Sequence, residues 1–294
     1  MTTRVRALLV LLCLVAACGS GGRAGDEVAS TLLTPEQSAA SDAAVANDAA
    51  DGTLDGDADQ GAPGADGGTQ TQTQPPDAAV APLPTPRGAG SFAGFYLRPR
   101  ESASIVLAVG AQSGAAPTSA TLDHLVGVLR QVSSKPVRTQ MTTLPAGARS
   151  WTAADLVRTA EQTSPQQSRD AAVMTVLFLH GDYDGDSSVL GIAARSDVAA
   201  VFADQVAGSA GLLGSAAAVE RSVSTHEVGH LLGLVDLFLD TGRQDREHPG
   251  HSTSAASVMY WAVESDLIGA ILGANPPTEF DAADLADLAA IRNS

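Results

Sequence analysis

"STHEVGHLLGLVD" runs from Ser224 to Asp236. Its two histidines, His226 and His230, stand four positions apart, with Glu227 directly after the first. On a helix that spacing is about 6 Å along the axis and about 40° around it, so both imidazoles face one side. A tetrahedral metal needs just such a pair of neighbouring nitrogens. Glu227, one step round, is close enough to take a proton from a metal-activated water and hand it to a leaving amine. The same spacing also arises on solvated helix faces. Here Val219, Val223, Val228, Leu231 and Leu232 make the helix largely apolar, and burying two imidazoles and a carboxylate without a partner is costly. The stretch therefore favours a zinc centre built for hydrolysis.

It leaves the third ligand open. Gly233 can adopt the left-handed conformation that ends a helix and turns the chain, which would let Asp236 swing toward the metal. A carboxylate is a competent zinc ligand, so Asp236 is favoured on spacing. His248 and His251 in "DREHPGHSTS" are better-matched donors, but a loop must bring them back. They stand as alternative ligands or as polar residues beside the site. No thiolate competes, because the only cysteines are Cys13 and Cys18.

The start of the chain addresses its destination. Arg4 and Arg6 precede "ALLVLLCLVAA" (Ala7–Ala17), an apolar run too short to span a bilayer, so residues 1–17 read as an export signal. "LVAAC" resembles the lipobox of bacterial lipoproteins, which implies cleavage before Cys18, a diacylated cysteine and a lipid-anchored protein at the cell membrane or surface. Cys13 then leaves with the signal, and the exported chain has no disulfide. From Gly19 to Gly90 there are eleven acidic residues against Arg23 and Arg87, a net of −9 within a whole-chain charge of −16. With almost nothing large to bury, residues 18–90 should be a disordered, self-repelling tether. The acidic balance argues against a nucleic-acid partner.

Residues 91–294 suit one domain of α/β type. "SIVLAVG" (Ser104–Gly110) reads as a buried strand, and "TSATLDHLVGVLRQVSS" (Thr118–Ser134) as a helix behind a Ser/Thr start. "KPVRTQMTTL" alternates like a strand with one wet face, "SWTAADLVRTAEQ" (Ser150–Gln162) reads as a helix, and "AAVMTVLFLHG" (Ala171–Gly181) as a central strand. "VLGIAA" and "VAAVF" follow, then an Ala-rich helix carrying the histidines. His124 and His180 read as rim residues. Asp182, Asp184 and Asp186 are spaced as in a calcium loop, but Ser187 replaces its glycine and Ala193 its bidentate glutamate, so calcium is not expected. Asp281, Asp284 and Asp287 read as the capped, solvated face of a last helix, "TEFDAADLADLAAIR".

With "SVMYW" (Ser257–Trp261) added, HExxHxxGxxD followed by Ser-x-Met resembles the metzincin clan of zinc peptidases, in the snapalysin-like variant with an aspartate ligand. The chain also resembles a group of uncharacterised bacterial predicted zinc-dependent proteases sharing "HExGHLLGLV…HxxH…VMYW". That resemblance implies one catalytic Zn2+ and a protein or peptide substrate. It further implies a zincin-like mixed, twisted sheet over the active-site helix, with "SSVLGIAA" as the antiparallel edge where a peptide would add as a strand. Met259 would form the apolar floor beneath the metal. Tyr260 would steady the oxyanion, although the family's tyrosine usually lies two residues past the methionine, not one.

Overall fold

The structure is a computed structural model that describes residues 82–147, 149–210 and 215–294. The expected signal at 1–17, Cys18 and most of the expected tether at 18–90 lie outside the described residues. Contacts begin ahead of Ser91: the Arg87 amide donates to Ser196 Oγ at 3.1 Å, and the Ser196 amide to Arg87 O at 2.9 Å.

The described chain runs α1 (Ala93–Leu97), β1 (Ile105–Gln112), α2 (Ser119–Val132), β2 (Val137–Leu144), β3 (Arg149–Trp151), α3 (Ala153–Thr163) and β4 (Ala172–Leu179). It continues with β5 (Gly181–Tyr183), β6 (Gly191–Arg195), β7 (Val198–Phe202), α4 (Ala203–Ser209) and α5 (Ala216–Leu231). A 3-10 turn (Trp261–Glu264), α6 (Ile268–Ile271) and α7 (Ala282–Asn293) complete it. None of the described helices is long and apolar enough to cross a membrane.

The main sheet has the order β2-β1-β4-β7-β6. Every pairing is parallel except β6 with β7. The fold is thus a mixed α/β arrangement with a mostly parallel sheet and an antiparallel edge strand, as expected. β1 and β4 are apolar and buried at every position except Gln112 and Thr175, which are buried too. Both of their faces are covered, which is why they show no polar alternation. The two-residue period survives in what each side chain touches. Met174, Val176 and Phe178 join the core under α2 and α5, whereas Leu177 and Leu179 join Leu156 and Phe202 beneath α3.

Capping fixes the helix starts. Thr118 accepts from the Thr121 amide ahead of α2. Thr152 and Asp155 form a reciprocal capping box at α3, so that helix begins later than "SWTAADLVRTAEQ" suggests. Ser150 and Trp151 belong to β3, which pairs with β5 in a separate two-stranded parallel sheet. The expected single wet face of β2 is absent: it is an edge strand, exposed on both sides over most of its length.

Candidate metal centre

α5 packs against β6 and β7 and is buried continuously from Ser222 to Leu231. It therefore holds His226, Glu227 and His230 against the edge of the sheet, away from water. His226 Nδ1 lies 2.7 Å from Val258 O. A carbonyl can only accept, so Nδ1 carries a proton, which leaves Nε2 as the nitrogen that would ligate a metal. That Nε2 faces His230 Nε2 at 3.0 Å. His251 closes the group, its ring centroid 5.2 Å from that of His226 and 5.1 Å from that of His230. Glu264, at the end of the 3-10 turn, brings Oε1 to 3.1 Å from His251 Nε2 and Oε2 to 3.6 Å from His226 Nε2. One ligand atom from each of His226, His230, His251 and Glu264 lies within 4.8 Å of the others, and the four form a group that could hold a metal ion.

The electrostatics suit a bound cation. Glu227 is fully buried, and both its carboxylate oxygens lack a hydrogen-bond partner, as do His230 Nδ1 and both ring nitrogens of His251. The contact of His251 with Glu264 is within ion-pair distance but does not have hydrogen-bond geometry. An unpaired ionised carboxylate in a protein interior costs several kcal/mol. Burial pushes the Glu227 carboxyl well above its ordinary range, and the charge on Glu264 pushes it further. Burial, with the neighbouring His226 and His251, drives His230 well below its ordinary value, keeping it neutral and free to ligate. Burial also resists ionisation of Glu264, but His226 and His251 outweigh it and hold that carboxyl well below the usual range.

Two glycines make room for this arrangement. A Cβ on Gly229 would overlap Met259 Sδ outright and come within 3.1 Å of Phe280 Cε1, so the methionine runs directly beneath the histidine helix. A Cβ on Gly191 would sit 2.7 Å from Glu227 Oε1 and from Val223 Cγ1. The carboxylate is packed against the backbone of the edge strand.

The expected placements fare differently. Met259 is fully buried under α5. Ser257 and Met259 form a tight turn, with the Met259 amide donating to Ser257 Oγ at 2.9 Å. Asp236, expected as the third ligand, stands outside the group. Gly233 turns the chain in the left-handed region (φ 84°), and Val235 and Asp236 follow there too, at φ 55° and 66°. The Asp236 carboxylate then caps its own loop, accepting from the amides of Thr241 (2.9 Å) and Gln244 (3.1 Å). Burial works against its charge, yet these donors hold its carboxyl below the ordinary range. His251, the alternative candidate, is the third imidazole of the group that could hold a metal ion. His248 is also outside the group: it stacks on Trp261 at 4.4 Å between centroids and pairs with Asp245. Tyr260 is half-buried, its ring 5.7 Å from that of Trp261.

His124 reaches Thr225 Oγ1 and Thr278 O, and His180 reaches Asp204 and Ser113 O. Asp186 accepts from Ser188. Asp284, read as part of a solvated face, is buried: it accepts from Ser257 Oγ at 2.9 Å and from Arg243, fastening α7 to the methionine turn. Sequence reasoning missed Glu264 altogether; its position five residues past Met259 carries no recognised spacing.

No protein-family model matches the chain, and no curated protein matches it. Among solved structures, archaemetzincin from Methanopyrus kandleri aligns with 97% of its own length and 65% of this chain, at 19% identity and a TM-score of 0.44. That likeness is too low to carry residue roles or activity across.

Proposed function

We propose that the chain is a zinc-dependent endopeptidase that is exported and held at a bacterial membrane by a lipid on Cys18. The observation that carries the catalytic part is Glu227: a fully buried carboxylate without partners, beside three converging imidazoles. His226, His230 and His251 would hold the metal. Bound zinc supplies Lewis acidity to a water and to a scissile carbonyl. Glu227 takes the proton from the attacking water and delivers it to the leaving nitrogen. The Val258 carbonyl keeps His226 in the ligating tautomer, and Met259 excludes water beneath the ring pair. An extended peptide would add along β6, which pairs with β7 on one side only among the described strands. Nothing in the acidic chain favours a nucleic-acid partner. The run before Cys18 and the acidic stretch behind it support the anchor and the tether.

A second reading is a scaffold lipoprotein whose zinc only staples the fold. It draws on Glu264, because a fourth protein donor is what closed structural sites have. Glu227→Gln separates the two. The variant should keep one zinc per chain while cleavage of a peptide library falls by about 10²–10⁴-fold. If the parent protein binds zinc but cleaves no peptide, the scaffold reading stands instead.

A further inference from the structure

We propose that Glu264 is a fourth, displaceable ligand of the metal, so that the resting chain is closed at the position water must take and opens by rotation of that one side chain. This rests on the zinc reading above.

Two ligands about 2.0–2.1 Å from a tetrahedral zinc lie about 3.3 Å apart. The Glu264 oxygens stand 3.1 Å from His251 Nε2 and 3.6 Å from His226 Nε2, each at the spacing of a co-ligand. A carboxylate that merely orients a ligating histidine binds the nitrogen turned away from the metal. On His226 that nitrogen, Nδ1, is already taken by Val258 O. Glu264 instead faces Nε2, the nitrogen that meets His230. It approaches from the metal side.

The main chain around it is fixed. The Leu190 amide donates to Glu264 O at 2.7 Å, the Asp266 amide donates to Ser188 O at 3.0 Å, and Val189 bridges Ser265. The side chain is freer, with 28% of its surface exposed. It lines a cavity of about 290 Å³ walled by the stacked His248 and Trp261, with Pro249 and Val189. The carboxylate can turn into that space with no change in backbone. Its anchor residues, Ser188 to Leu190, lead directly into β6. A peptide seated at this edge arrives beside Glu264, so substrate entry and closure compete for one place.

The test uses the full chain and its Glu264→Gln and Glu264→Ala variants, with folding checked by circular dichroism. Zinc affinity is read by competition with a chromophoric chelator, and acetohydroxamate binding by the visible spectrum of the cobalt-substituted proteins. Both variants should bind zinc about tenfold or more weakly, yet bind acetohydroxamate about tenfold or more tightly, because the position has been opened. Weaker zinc with unchanged hydroxamate binding makes Glu264 a positioning residue and overturns the proposal. Unchanged zinc affinity removes it from the ligand set and does the same. Failure of the zinc reading itself would be visible earlier, as a parent protein that binds no zinc.

Discussion

Replacing Gly229 by alanine should destabilise the protein, although alanine is the better helix former. In an open helix interior Gly→Ala gains about 0.5–1 kcal/mol. At Gly229 the added carbon meets Met259 Sδ, with Phe280 Cε1 at 3.1 Å blocking retreat. The methionine backbone cannot yield, since Ser252 N donates to Met259 O at 2.8 Å and Met259 N to Ser257 Oγ at 2.9 Å. Overpacking of this kind costs about 1–3 kcal/mol, which exceeds the propensity gain. The net should be a loss of about 1–2 kcal/mol, or a fall in Tm of about 2–8 °C for a domain of this size. The same substitution at Gly127 supplies the control. It lies in α2, is exposed, and a Cβ there meets nothing within 4 Å. Gly127→Ala should raise Tm by about 1–4 °C. Thermal unfolding of the two variants side by side decides the matter. An unchanged or raised Tm for Gly229→Ala would mean that the methionine adapts, and that its place beneath the histidines is not set by packing.

Three further outcomes are expected. His251→Ala should lose zinc in a chelator competition, whereas Asp236→Ala should keep it and lose only about 1–2 kcal/mol with its loop hydrogen bonds; the reverse ranking would restore Asp236 as the ligand. Lys135 is buried, donating to Phe95 O at 2.6 Å and Ser102 Oγ at 2.8 Å, and burial lowers it from 10.5 to about 8 despite nearby Glu101. Between those values the unfolded chain binds the proton and the folded chain does not, so stability rises with pH. Relative to Lys135→Met, the parent should gain in urea midpoint between pH 8 and 10, and a constant difference would show that the amine does not titrate as described. Cys18→Ser should shift the protein from the detergent to the aqueous phase on phase partition; unaltered partition would remove the lipid anchor.

The parts of the fold that were legible in the sequence are those where local chemistry and tertiary role agree. β4 is apolar at every position but Thr175 because it is central. α2 announces itself through Thr118, and the histidine spacing on α5 needs only helix geometry to converge. Local signals misled where a longer-range partner decides. Ser150 and Trp151 read as the opening of a helix because Thr152 caps one, but β5 draws them into a strand. Asp284 sits in a repeating acidic face, yet Ser257 and Arg243 bury it. The third imidazole is the clearest case. From Gly233 onward, motif spacing points to Asp236, while the left-handed run at Val235 and Asp236 directs that carboxylate to Thr241 and Gln244. Short-range spacing contains nothing that says the loop through His248 will fold back and deliver His251.

The chain order of these pieces has a consequence for biosynthesis. Every strand of the main sheet has been made once Phe202 is in place, and His226 and His230 follow closely. His251, Met259 and Glu264 come later, and the methionine turn is fastened by Asp284 on the last helix. A polypeptide emerging from its N-terminus can organise its sheet while this pocket still lacks a wall, a floor and a latch. On the peptidase reading, a growing or partly translocated chain cannot cut its neighbours. On that reading competence would await α7.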